Sequence, residues 1–413
     1  MTAKTSRKTA RTRPESPYEA FEREKRELAT EAGEPIARLA IGVVPFPAVK
    51  AKECMHSRDV TYTMVTRRAG RLWATDLLSD DREPEPLDPA TLASRFLPQQ
   101  HDHVNPDGSL DRRWDNGGVI IVPDRSTASF LARKAGQAGG GYALERALHL
   151  LMSLPTSSRL VILTEALGRK FYAPEGLDTG SLPSWLDALG LGRKVSPAAV
   201  TAALARVRAA EGSSFLPPLD DEDNHNPFLM NEIAAEETRL MRYAASGSLS
   251  ADCSRYSSVN GIAAHYEYAV QTDALGREYA MLDGTVFRLR HAGRSKARIE
   301  GPFKVREGKS IVLVGPGGGR KYGREESAVV ESITVNDAGE YIATLASMGN
   351  EVSMALASGE EHLFITKPFL TMFSGRTGRR WTLAAGEEHS APAVKRDVPL
   401  YVSLAGAPQE AGV

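Results

Sequence analysis

The C-terminal part of the chain is written in short runs, GTVFRLR, SIVLVG, SAVVESITV, EYIATLA and HLFITK. Gly, Asn and Asp break the chain between them. Alternating apolar and polar residues give a strand one buried and one solvated face. Residues 253–413 are therefore expected to fold as a β-rich domain. No repeat of fixed period is visible.

The chain upstream has a helical texture, so the fold class expected is α+β. With 413 residues, two or three domains are anticipated. Residues 17–31 alternate acids and bases at helical spacing, which predicts a solvated helix. A hairpin is expected within 59–78, around the polar turn Arg67-Arg68-Ala69-Gly70. Residues 79–116 read as a polar loop interrupted by a helix at 90–96, which completes a mixed region, 17–116. GGVIIVPD, opening at Gly117, reads as one buried strand. Helices follow at 126–134, capped by Ser126, at 142–153, and at 157–171, within a helical middle region, 117–211. An acidic linker, 212–226, and a connecting helix in 227–252 lead to the β-rich part.

Charge and cysteine content narrow the partners. Lys and Arg total 51 against 52 Asp and Glu, so whole-chain charge selects no partner and only its distribution can. Two cysteines, Cys54 and Cys253, exclude a disulfide scaffold and a four-cysteine zinc site. Lys4, Arg7, Lys8, Arg11 and Arg13 form a basic tail (1–16), expected to be disordered, and no apolar segment follows that suits a secretory signal. The stretch 36–49 is interrupted by Arg38, Pro45 and Pro47. The expectation is a cytoplasmic protein with no membrane partner.

Residues 183–211, PSWLDALGLGRKVSPAAVTAALARVRAAE, place a short helix (183–189), a glycine turn and a second helix opened by Ser196-Pro197. Val200, Leu204 and Val207 share one apolar face, and Ser196, Thr201, Arg206 and Arg208 lie off it. Arg193 and Lys194 occupy the turn. This segment resembles the recognition segment of winged-helix and other helix-turn-helix DNA-binding domains. The resemblance implies a helix offered to the major groove, with Arg193 and Lys194 on phosphates and Ser196, Thr201 and Arg206 toward the DNA. The stretch after Gly212, SSFLPPLDDEDN, carries no wing-like hairpin pattern. A plain helical hairpin packed in a larger domain is the alternative.

A second basic element runs from Arg288 to Arg324. Arg288, Arg290, Arg294, Lys296, Arg298, Lys304, Arg306, Lys309, Arg320, Lys321 and Arg324 stand against only two acids, Glu300 and Glu307, a local charge of +9 in a near-neutral chain. Arg288 and Arg290 alternate with Phe287 and Leu289, so both should point to solvent from one strand face. Such a stripe suits phosphate backbones. FKVREGKSIVLVG loosely resembles the opening of a small SH3-like barrel, a fold that binds nucleic acid or protein. Solvated strand edges that resist pairing are the alternative use of these cations. The acids at 220–223 could dock on the basic barrel when DNA is absent.

Enzymatic motifs are sparse. The glycines at 315–319 precede Arg320-Lys321-Tyr322 rather than the Lys-Ser/Thr of a P-loop, and no nucleophile elbow is present. His101-Asp102-His103, the Cys54/His56 pair and Asp220–Asp223 with His225 lack a second ligand pair at established spacing. No cofactor is expected. The reading is a non-catalytic DNA-binding protein of a DNA-linked process (replication, partition, transcription control or defence), with DNA as partner and homo-oligomerisation open. Two other classes stay in view. One is a metal-dependent nucleic-acid-processing enzyme using 101–103 or 220–225. The other is a structural or assembly protein of a virus-like particle.

Overall fold

Val119-Ile120-Ile121-Val122 has four β-branched apolar residues in a row, a pattern that suits a strand covered on both faces. The computed structural model describes residues 15–39, 62–77, 83–104, 109–114, 118–138, 142–208, 233, 236–242, 244, 249–273, 275–314 and 326–366, all within one compact unit, Met1–Met372. Residues 1–14 of the expected tail 1–16, the Cys54/His56 pair, the acidic linker and the loop bearing Arg320, Lys321 and Arg324 lie outside the described residues, while Glu15 and Ser16 lead directly into the first helix.

Helix α1 (Pro17–Ala32) starts at Ser16. Its hydroxyl accepts from the Glu19 N–H at 3.2 Å while a Glu19 carboxylate oxygen accepts from the Ser16 N–H at 2.7 Å. After β1 (Ile36–Ala37), strands β2 (Tyr62–Arg68) and β3 (Arg71–Asp76) form the anticipated hairpin, with Arg68 opposite Arg71. The loop expected at 79–116 holds more structure than its polarity suggests. Besides β4 (Glu85–Pro86) and α2 (Pro89–Phe96), it contains a second hairpin, β5 (Gln100–Val104) with β6 (Leu110–Trp114). QHDHV and LDRRW have almost no apolar alternation, which is why periodicity missed them.

Next come β7 (Val119–Val122), α3 (Arg125–Gln137) and α4 (Tyr142–Met152). The cap of α3 is Asp124, which accepts from the Thr127 N–H at 2.8 Å. Ser126 instead donates to Asp124, correcting the expected cap. The single helix expected at 157–171 is three elements: β8 (Leu160–Ile162), α5 (Leu163–Lys170) and β9 (Phe171–Tyr172). A three-residue apolar run carries no period of its own, and here the sheet claims it.

The sheet order is β4-β3-β2-β7-β8, with β2, β7 and β8 parallel, β3 antiparallel to β2, and β4 antiparallel to β3. Its faces feed two cores. Val65, Ile120, Val122, Leu160 and Ile162 pack on α2, α3 and α4. Tyr62, Met64, Val119, Ile121 and Val161 pack on α5, on α6 (Leu182–Ala188) and on α7 (Pro197–Arg208). Each fully buried Val or Ile here contributes about 1.5–3 kcal/mol of transfer free energy.

The β-rich texture begins at Val286, not at 253. Helices α8 (Leu249–Thr272) and α9 (Gly276–Leu282) fill the interval. Ala251, Ser258, Ile262, Tyr268 and Ala269 of α8 are buried in several directions, so no one-sided apolar stripe marks the helix. Beyond it stand β10 (Val286–Gly293), β11 (Lys296–Glu300), β12 (Ser310–Val314), β13 (Ser327–Val335), β14 (Tyr341–Ala346), α10 (Asn350–Ala357) and β15 (Glu361–Thr366). The strands close a six-stranded barrel in the order β10-β11-β14-β13-β12-β15. The chain is thus a mixed helix-and-strand protein with a closed C-terminal barrel.

Strand alternation divides the barrel residues cleanly. Phe287, Leu289, Ala297, Ile311 and Phe364 fill the interior beneath Val352 and Leu356 of α10. Val286, Val312, Val314 and Ile365 point outward into the core shared with α6 and α7. One wall of the barrel is therefore an internal interface, and the charged residues collect on the remaining wall.

Candidate nucleic-acid interface

On β10, Arg288 and Arg290 are exposed, as the alternation with Phe287 and Leu289 requires. Folding brings acids to them. Arg288 lies 3.8 Å from Glu361, and Arg290 lies 3.9 Å from Glu361 and 4.0 Å from Glu300. Arg298 contacts Glu300 closely and Glu340 at 2.7 Å. Lys304 holds Asp283 at 2.8 Å. These contacts move pKa values as expected for paired groups. Hydrogen bonds with Glu300 and Glu340 raise that of Arg298. The Glu300 carboxyl, hydrogen-bonded to Glu361 and Arg298, is lowered, and so is Glu340, bonded to Asn336 and Arg298. Burial pushes Asp283 upward, but its bonds from Lys304 and Thr285 outweigh that and lower it.

Folding thus brings carboxylates beside part of the basic stripe, at Arg288, Arg290, Arg298 and Lys304. Residues 286–314 and 326–366 together carry eight Lys/Arg and nine Asp/Glu. Four exposed cations have no carboxylate partner among the described residues: Arg294 and Lys296 at the β10–β11 turn, and Arg306 and Lys309 between β11 and β12. Beside the turn lies a shallow groove of about 430 Å³, lined by Arg290, His291, Lys296, Arg298, Thr334 and Asn336 among others.

The α6–α7 pair is anchored more deeply than a free recognition element. Ala199, Val200, Ala203, Leu204 and Val207 of α7, and Trp185 and Leu186 of α6, belong to the central core. The Trp185 indole N–H donates to the Thr179 carbonyl at 2.9 Å. Ser196 caps α7 as anticipated, its hydroxyl accepting from the Ala199 N–H at 3.2 Å. Thr201 departs from its expected place, because its Oγ1 is buried without a hydrogen-bond partner. Arg193 is exposed and pairs with Asp187 at 3.1 Å, while Lys194 and Arg206 are exposed. Among the described side chains of α7 the other exposed positions are Ala198 and Ala205, which offer no group that reads a base edge.

Three constellations went unrecognised in the sequence. The first borders a groove of about 1140 Å³ between α1 and the β9–α6 region. There the buried Glu22 receives Arg38 at 3.1 Å and Arg26 at 3.5 Å, and the Tyr172 hydroxyl donates to it at 3.3 Å. Burial, then the Glu22 charge, push the Tyr172 hydroxyl well above its ordinary pKa. Burial opposes the Arg38 charge, yet Glu22 and the tyrosine hydroxyls outweigh it and raise its pKa. The second is fully internal: both Glu237 carboxylate oxygens accept from the Ser158 N–H at 2.9 Å, and the Ser158 hydroxyl donates to one of them. The third gathers Arg67, Arg133 and Lys134 around Phe130. Each joins residues far apart in sequence, and no local motif marks such a meeting.

Among the described residues, no group of three or more His, Cys, Asp and Glu side chains is arranged to hold a metal ion. The 101–103 segment lies in β5, with His101 opposite Arg113 and His103 opposite Asp111. Among the described residues, no helix is long and apolar enough to cross a membrane. Compared with protein-family models, curated proteins and solved structures, the chain gives no significant match.

Proposed function

We propose that the chain is a non-catalytic, cytoplasmic DNA-binding protein that grips the phosphate backbone with little reading of base sequence. The observation that carries this reading is the unpaired pair Arg294 and Lys296, exposed at the β10–β11 turn beside a groove lined by Arg290 and Arg298. Exposed cations without acid partners neutralise phosphates and release the counterions condensed on the DNA, which is the main source of sequence-independent affinity. The arginines of the groove are engaged with carboxylates, so they act as a held framework rather than as free contacts.

In this reading the α6–α7 pair is a helix-turn-helix-like element used for backbone contacts. Lys194 and Arg206 are its available cations among the described side chains, and the alanine-bearing face of α7 has little means of discriminating base pairs. The SH3-like likeness of the barrel stays part of this proposal. The test is binding of random double-stranded and single-stranded DNA to the full chain across a salt series. Affinity should fall steeply with salt, and Arg294→Gln with Lys296→Gln should reduce the log–log slope by about 1–2. Absence of binding at low salt would overturn the reading.

An assembly role has one observation in its favour. Val335 and Tyr341 are cross-strand partners and both exposed, and Tyr341 stacks edge-on with Phe303 at 5.0 Å. Exposed apolar groups of this kind suit self-association. Light scattering on the wild type and on Tyr341→Ser tests it: a defined oligomer lost in the variant would favour assembly.

A further inference from the structure

Phe130 sits on α3 with its ring nearly buried, at 8% exposure. Three cations surround that one ring. The Arg67 guanidinium lies 4.2 Å from the centroid, Arg133 5.0 Å and the Lys134 ammonium 5.8 Å. Arg133 and Lys134 come from the last turns of α3, and Arg67 comes from the end of β2. All three side chains are exposed, and none has a carboxylate partner among the described residues.

The neighbouring hairpin tip adds two more unpaired cations, Arg68 and Arg71, directly opposite each other across the Ala69-Gly70 turn. Like charges placed opposite destabilise a strand pair. Repulsion is also only partly screened when charges gather around one ring, since the Debye length is about 8 Å at physiological salt. The barrel offers the contrast: there cross-strand acids meet Arg288, Arg290 and Arg298. Here the fold concentrates like charge, and no carboxylate among the described residues pairs with it.

We infer that Arg67, Arg133 and Lys134 around Phe130 form a second phosphate-binding site, taking consecutive phosphodiesters of a nucleic-acid backbone. The inference rests on the DNA-binding reading above. A single carboxylate would neutralise one of these charges, whereas a phosphodiester chain presents repeated charge to all three. Guanidinium groups also match phosphate oxygens through two parallel hydrogen bonds. The ring holds the Arg67 plane in place, which lowers the ordering needed on binding. Because the ring is buried beneath the cations, it gives no platform for base stacking, so the site holds backbone without reading sequence.

The test uses the full chain and a labelled mixed-sequence duplex, with inorganic tripolyphosphate as competitor. One variant carries Arg133→Gln and Lys134→Gln, which are exposed helix positions, and another carries Arg294→Gln and Lys296→Gln on the barrel. Circular dichroism melting confirms that each variant is folded. The α3 variant is expected to bind about tenfold more weakly at moderate salt and to lose about 1–2 from the log–log salt slope. That loss should add to the loss in the barrel variant. If the α3 variant binds like the wild type while the barrel variant weakens, this site is refuted and the DNA-binding reading survives. Failure of the wild type to bind the duplex at low salt refutes both. If tripolyphosphate displaces the duplex more effectively, per phosphate, than unlabelled duplex does, a free polyphosphate replaces the backbone as the ligand and the inference falls.

Discussion

Arg298 on β11 lies 2.7 Å from Glu340, forty-two residues along the chain and just before β14. The Asn336 amide holds the other Glu340 oxygen at 2.9 Å, so the carboxylate is oriented before it meets the guanidinium. This contact shows how a cation that looks free in the linear sequence becomes engaged once β11 and β14 pair. Replacing Glu340 with Gln removes the counter-charge without shortening the side chain. The expected outcome is tighter duplex binding and a salt slope steeper by up to about 0.9, one extra phosphate contact. Fluorescence anisotropy across a salt series checks it, and unchanged affinity both here and with Glu300→Gln added, which removes the second carboxylate on Arg298, would mean that Arg298 does not face the DNA.

The β2–β3 turn carries a local strain. Ala69 has φ of 47° and Gly70 has φ of 73°, so both residues of this two-residue loop are left-handed. Glycine accepts that conformation and alanine does not, whereas asparagine tolerates it through its short polar side chain. Ala69→Asn is expected to stabilise the protein by about 0.5–1 kcal/mol. Chemical denaturation should show a higher midpoint with an unchanged slope. A lower midpoint would refute the turn assignment.

Glu237 predicts a pH signature. Burial raises its pKa above the ordinary 4.5, although bonds from Ser157 and Ser158 and the Arg159 charge oppose the shift. Above pH 4.5 the unfolded chain has released this proton while the folded protein still holds it. The stabilisation is therefore complete below the ordinary value and is lost as pH rises through the folded value. Glu237→Gln should flatten stability against pH in that window. It should also cost about 1–3 kcal/mol overall, since one of the two oxygens facing the Ser158 N–H becomes an amide NH2. Denaturant titrations from acid to neutral pH would show parallel profiles for the two proteins if the idea is wrong.

Gly284 joins α9 to the barrel with φ of 78°. A Cβ placed there would lie 2.8 Å from the Phe303 nitrogen and 2.9 Å from its Cα, and backbone cannot give way as a flexible side chain can. The Gly284 carbonyl also accepts from the Lys304 N–H at 2.8 Å. Gly284→Ala is expected to destabilise by about 1–3 kcal/mol from backbone strain alone. Thermal melts compare it with Gly308→Ala, which shares the positive φ but meets nothing within 4 Å. Equal losses in the two variants would show that the close approach to Phe303 adds nothing.

Local chemistry made much of the secondary structure readable. The acid–base spacing of 17–31, the polar turn after Arg68, Val119–Val122, and the Ser196-Pro197 opening of α7 each carry their signal within a few residues, because capping, turn formation and alternation are short-range effects. The elements that escaped are those whose partners are distant. Leu160–Ile162 becomes a strand only because β7 lies beside it, and α8 is buried on several sides, so it shows no stripe.

Electrostatics separates the two levels most clearly. The residue types and the outward direction of Arg288 and Arg290 follow from strand alternation alone, and so does the apolar face of α7. Which cations keep their charge available does not, because an ion pair depends on which strands become neighbours in the closed barrel. Glu340 and Glu361 are remote from the arginines they meet, while Arg67, Arg133 and Lys134 share a ring that no linear pattern connects. Propensity acts over a few residues and Coulomb attraction over a few ångströms, and only the folded chain converts distance along the sequence into distance in space.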